Sequence, residues 1–173
     1  MESKKIQPDS EWAALREAQT KALKLDQVGM AVTIDIGLAD DIHPKNKQEV
    51  GRRLALVALA GSYGKNVSSS APVFQNYIIK GNKMELDFGQ KQDGFQIKGT
   101  TLKGFTIAGP DRVFYPAEAM VHDGKIILSS TEVPAPLAAR YGCADNPDCN
   151  LYGERTGSRL PLSGPTVGRW CKS

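Results

Sequence analysis

The sequence predicts an α/β segment followed by an all-β domain. Three observations predict it. Two stretches with apolar residues at helical spacing flank one nearly continuous apolar run within the first 66 residues. Beyond them, helical spacing gives way to short runs punctuated by turn dipeptides. A polar linker, Asn66-Val67-Ser68-Ser69-Ser70-Ala71-Pro72, separates the two regimes.

The first helix is expected over residues 11–24. Ser10 precedes it, and a serine hydroxyl can accept from the free amides of a first turn. Trp12, Leu15, Ala18 and Ala22 form its apolar side, and Arg16, Glu17 and Lys21 form the opposite one. Asp26 and Gly29 mark a turn into the apolar run Met30, Ala31, Val32, Ile34 and Ile36, which reads as a strand buried on both faces. After a loop over residues 37–45, Asn46 caps a second helix, with Glu49 in a capping-box position. Val50, Leu54, Val57 and Ala58 are its expected core stripe, and Gly61 or Gly64 ends it. One strand cannot form a sheet, so residues 1–66 read as the C-terminal end of a larger doubly wound domain.

In the second region, strands are expected at residues 77–80, 84–88, 95–98, 102–108, 113–121, 125–129 and 137–141. Gly81-Asn82 and Asp123-Gly124 are hairpin dipeptides. Strands at this spacing predict a small antiparallel β-sandwich over residues 67–155.

Composition excludes several function classes. The 40% hydrophobic and 24% charged content is that of a globular protein, and the net charge is only +3. Lys4-Lys5 and Arg52-Arg53 are the basic pairs, which is too little for a nucleic-acid partner. No apolar run is long enough to span a bilayer, so no membrane partner is expected, and the first residues lack the apolar core of a secretory signal. Cys143, Cys149 and Cys171 do not make a disulfide framework. They are expected as free or partly buried thiols, although Cys143 and Cys149 are close enough in sequence to bridge.

The chemistry concentrates in Asp40-Asp41-Ile42-His43-Pro44, in the loop between the apolar run and the second helix. An imidazole with a carboxylate two or three residues upstream is the acid–base half of a hydrolytic triad. Pro44 disfavours the α conformation at His43 and keeps it extended. A serine in a turn that would expose it as a nucleophile is absent from the sequence. A metal site would need more ligands than His43 and His122 offer, and a thiol nucleophile would need a cysteine paired with His43. No metal or cofactor is expected.

Several blocks resemble the C-terminal part of bacterial sialate O-acetylesterases, which are SGNH-type hydrolases. They are Trp12-Ala13-Ala14-Leu15-Arg16-Glu17-Ala18-Gln19, the run from Gly29 to Gly37, Asp41-Ile42-His43-Pro44-Lys45-Asn46-Lys47, Leu102-Lys103-Gly104-Phe105-Thr106-Ile107-Ala108-Gly109, Pro116-Ala117-Glu118-Ala119 and Ala144-Asp145-Asn146-Pro147-Asp148-Cys149-Asn150-Leu151-Tyr152. The resemblance covers about residues 9–152. It implies that residues 1–66 are the remnant of an SGNH-type α/β/α sandwich carrying a catalytic site, with the β domain behind it. It further implies removal of O-acetyl groups from sialic acids or related sugars by a Ser-His-Asp mechanism, in a periplasmic or extracellular setting.

On this resemblance the partners are an acetylated sugar substrate and the missing N-terminal part of the catalytic domain, which would supply the serine. His43 is the implied base. Asp41 matches the aspartate of the family's Asp-Ile-His-Pro block, Asp40 has the D-x-x-H spacing of the wider hydrolase group, and one of the two orients His43. The lone chain is expected to be inactive. The competing expectation is a non-catalytic β-sandwich that binds carbohydrate or buttresses a catalytic domain, its aromatic residues sitting mostly at strand-core spacing.

Two departures stand out. Cys143 occupies a position where the family usually has an aromatic residue. The tail, residues 156–173, lacks the family's Leu-Pro-Ala-Ser-Pro-Phe-Arg-Thr-like ending, although codons for Gly157 to Pro165 can be written that yield that run when read from their third base. The chain is therefore read as frame-shifted from about residue 153 onward, with a disordered tail.

Overall fold

The structure is a computed structural model and describes residues 9–43, 45–69, 74–89, 94–155, 158–161 and 167–168. Pro44, Cys171 and the linker residues 70–73 lie outside the described residues. Most of the fold is antiparallel β-sheet, preceded by two helices, α1 (Glu11–Lys21) and α2 (Lys47–Gly61). The strands are β1 (Asn76–Lys80), β2 (Lys83–Asp87), β3 (Phe95–Ile97), β4 (Phe105–Ala108), β5 (Phe114–Pro116), β6 (Glu118–His122), β7 (Lys125–Ser129), β8 (Ala138–Tyr141), β9 (Leu151–Arg155), β10 (Ser158–Pro161) and β11 (Val167–Gly168). They form three sheets with orders β1-β2-β7-β6, β10-β9-β3 and β11-β8-β4-β5.

Both helices begin where their caps predict. Ser10 Oγ accepts from the Ala13 amide at 3.0 Å, and Asn46 Oδ1 accepts from the Glu49 amide at 3.1 Å. A single 3-10 turn, Ala22–Lys24, continues α1 to the expected end. The faces are a different matter. No residue of α1 is buried, and Trp12 remains 52% exposed. Arg16, expected in solvent, instead donates to the carbonyls of Gly142 and Ala144 at 3.0 and 2.5 Å and ties α1 to the β region. In α2 the buried residue is Arg53, while Leu54 of the expected core stripe is 50% exposed.

Residues 30–36 are half-buried, but the run 29–36 belongs to none of the sheets, in place of the expected strand. A strand is defined by its ladder bonds, and among the described residues no neighbouring strand pairs with this run. A turn ends it, with the Ile36 amide donating to the Thr33 carbonyl at 3.2 Å. Gly29 lies so close to α2 that a Cβ there would overlap Val57.

Register follows from the turns and the alternation. Asp123 and Gly124 both have positive φ, as the tight turn between β6 and β7 requires. Met84 pairs with Leu128 and Leu86 with Ile126, so the buried residues of β2 and β7 share one face. That face meets Phe105 and Ile107 of β4, Ala139 and Tyr141 of β8 and Leu151 of β9 in a common core. Each fully buried aliphatic side chain there contributes about 1.5–3 kcal/mol.

The expected strand over residues 113–121 is two strands in different sheets. β5 pairs with β4, and β6 pairs with β7. Pro116 has no amide to continue a ladder, so the chain crosses between sheets there. The strand expected over residues 102–108 starts only at Phe105, because Gly104 has a φ of +91°. The sequence predicts no strand beyond residue 141. In the tail, Ser158–Pro161 pairs with β9 and Val167–Gly168 pairs with β8, and the other tail residues lie outside the described ones.

Candidate active site

Asp40, Asp41 and His43 lie in the loop that leads into α2. Leu38 and Asp41 form an isolated antiparallel bridge, which folds the loop back on itself just before the histidine. Asp41 Oδ1 then accepts from the His43 backbone amide at 2.8 Å, the geometry of an Asx turn. The same oxygen lies 3.1 Å from His43 Nδ1. A carboxylate at Nδ1 favours the tautomer with its proton on that nitrogen and leaves Nε2 as the free acceptor. The ring is 80% exposed, so Nε2 faces outward. Asp40 is also exposed, and the imidazole's carboxylate partner among the described residues is Asp41.

Beneath the loop sits a charged cluster that sequence reasoning missed. The Arg53 side chain is only 4% exposed. One guanidinium nitrogen donates to Asp35 Oδ1 at 2.7 Å and to the Val32 carbonyl at 2.6 Å, and the other donates to Asp35 Oδ2 at 2.8 Å. Its Nε donates to Glu49 Oε1 at 2.8 Å. Burial works against the Arg53 charge, but the hydrogen bonds to Asp35 and Glu49 outweigh it and raise its pKa.

Glu49 also receives two hydrogen bonds from Arg52, each at 2.7 Å. Arg52 chiefly, opposed by burial and reinforced by Arg53, holds the Glu49 carboxyl down at about 2. Glu49 is thus drawn to the two arginines, and Asn46 alone keeps its half of the expected capping box. From the β region, burial and then the Asp35 carboxylate raise the pKa of the Tyr152 phenol. One signal for this cluster was present in the sequence. Arg53 falls three residues after Val50 and four before Val57, on the apolar stripe of α2, and Asp35 interrupts an apolar run.

The other candidates lie elsewhere. His122 is exposed at the tip of the β6–β7 turn, 3.3 Å from the Asp123 carboxylate. Cys143 and Cys149 are free thiols, both partly buried. Burial raises both, Cys149 to about 11, so each stays protonated and poorly nucleophilic near neutral pH. Ser10 is engaged at the start of α1, where its hydroxyl donates to Asp145 at 2.6 Å, and Ser62 is the C-cap of α2. Among the described residues no helix is long and apolar enough to cross a membrane, and no three His, Cys, Asp or Glu side chains gather as metal ligands do.

The chain is similar to a carbohydrate acetylesterase from Xanthomonas citri. That crystal structure superposes with a TM-score of 0.84 and 43% sequence identity over 93% of this chain. The match covers 37% of the Xanthomonas citri protein, so this chain spans well under half of its length. No protein-family model matches the chain, and no curated protein matches it either.

Proposed function

We propose that this chain is the C-terminal part of a carbohydrate esterase of SGNH type that removes O-acetyl groups from sialic acid or related sugars. The observation that carries the reading is the 43% identity with a carbohydrate acetylesterase across nearly the whole chain. The Asp41–His43 geometry supports the mechanism. A serine from outside this chain would attack the acetyl carbonyl while His43 Nε2 takes its proton. The imidazolium would then protonate the departing sugar oxygen, and water would release acetate by the same two steps. Asp41 would hold the Nδ1 proton and stabilise the imidazolium. Asp40 is left without a contact in this scheme.

The α1 and α2 surfaces support a further α/β layer covering this segment. Trp12, Leu15, Leu54 and Leu59 are large apolar side chains left in solvent, and faces of this kind are normally buried against another element. The β region suits a buttress better than a glycan platform, because Phe88, Phe105, Phe114 and Tyr141 are buried.

The test is a chimera in which this chain replaces the matching part of the Xanthomonas citri esterase. Acetate release from O-acetylated sugars, sialic acid among them, is then measured. Saturable release that disappears in His43→Ala is the expected result. A folded chimera with no release, or one indifferent to His43→Ala, rejects the reading. The lone chain should release no acetate.

A further inference from the structure

We propose that Arg53 is a positioning residue that clamps the base of the loop carrying His43. Asp35 lies just before that loop, and Glu49 lies in the first turn of α2, just after it. Arg53 holds both ends at once, taking the two oxygens of Asp35 on its terminal nitrogens and Glu49 on Nε. The Val32 carbonyl adds a fourth contact on the entering side. A guanidinium is suited to this because its donors radiate in one plane from a rigid fork, whereas an ammonium can aim at only a few acceptors from one point.

Fixing the two ends of a loop removes conformational entropy from the segment between them, so a turn formed inside it has less left to lose. The Asx turn at Asp41 and the bridge between Leu38 and Asp41 form inside that closed loop, on an otherwise exposed surface. The clamp therefore determines how long the imidazole keeps its carboxylate partner. The phenol of Tyr152 in β9 interacts with the same Asp35 carboxylate.

The importance of the clamp for catalysis rests on the reading of His43 as the base, but its test does not. In the full chain, amide hydrogen exchange at His43 and ¹⁵N NMR of its ring report the Asx turn and the tautomer. Arg53→Met is expected to speed exchange of the His43 amide at least tenfold and to shift the ring from the Nδ1–H tautomer toward the Nε2–H tautomer, with protection in β2 and β7 unchanged. Arg53→Lys, which keeps the charge and loses the fork, should behave the same way. Wild-type exchange and tautomer in an Arg53 variant whose sandwich strands stay protected overturn the proposal.

If Arg53→Met lowers protection in the sandwich as well, Glu49→Gln releases one loop end with Arg53 in place. It should speed His43 exchange at least threefold, and unchanged exchange there overturns the clamp too. An inactive chimera with a responsive loop would reject the esterase reading and leave the clamp standing. An active chimera whose loop ignores Arg53 would do the reverse.

Discussion

A single oxygen of Asp41 faces both polar hydrogens that His43 can offer it, the backbone amide at 2.8 Å and Nδ1 at 3.1 Å. An Asx turn reaches two residues ahead, so a carboxylate at position 41 meets the His43 amide, and one at position 40 would meet Ile42 instead. The backbone contact limits the side-chain freedom of Asp41, and the ring contact then comes at little further entropic cost. The histidine and its carboxylate neighbour are thus arranged locally, within three residues.

This relationship separates the two aspartates. In the chimera, Asp41→Asn should lower kcat by about 10³–10⁴-fold, because an amide nitrogen at that position no longer favours the productive tautomer. Asp40→Asn should leave kcat within about threefold of the parent, since in the proposed mechanism Asp40 touches neither the imidazole nor the substrate. Steady-state acetate release from both variants checks the assignment, and the reverse ranking would transfer the role to Asp40.

Glu49 should make the stability of the chain fall with acid. Its carboxyl is held at about 2 in the folded state, against an ordinary value of 4.5. A lowered carboxyl pKa stabilises the fold above the unfolded value and loses that contribution as pH falls toward the folded one. The window is therefore pH 4.5 down to about 2. Thermal midpoints of the chain and of Glu49→Gln should differ at pH 6 and converge by about pH 2. A difference that stays constant across the window would show that the arginines do not hold the carboxylate in solution.

The interior around Cys149 should be intolerant of added volume. Gly104 has a φ of +91°, and a Cβ there would stand 2.7 Å from Cys149 Sγ and 3.2 Å from a ring carbon of Tyr141. Gly104→Ala should cost at least about 2 kcal/mol, combining the left-handed backbone penalty with overpacking. Gly81→Ala, also at positive φ but with no atom within 4 Å, should cost only about 1 kcal/mol. Urea unfolding of the two variants supplies the comparison, and equal costs would mean that the Cys149 side chain yields freely.

Much of the fold was legible because the signals are local. Ser10 and Asn46 mark the helix starts through hydroxyl and amide oxygens that reach only the next turn. Gly81-Asn82 and Asp123-Gly124 mark hairpins because the turn itself demands a positive φ. The alternation in Lys83–Asp87 and Lys125–Ser129 states which side chains go inward. The candidate base was equally readable, since His43 and both aspartates sit in one short stretch of sequence.

Tertiary structure decided what depends on partners distant in sequence. Whether residues 29–36 form a strand depends on a neighbour to share ladder bonds, and apolar composition cannot supply one. Which side of α1 faces the protein was settled by carbonyls at Gly142 and Ala144 that Arg16 reaches. Arg53 reads in sequence as one of a solvated basic pair. It is buried because Asp35, 18 residues earlier, returns to meet it and offsets the cost of taking its charge out of water. Local backbone chemistry is written in adjacent residues, whereas burial of a charge is a property of two segments brought together.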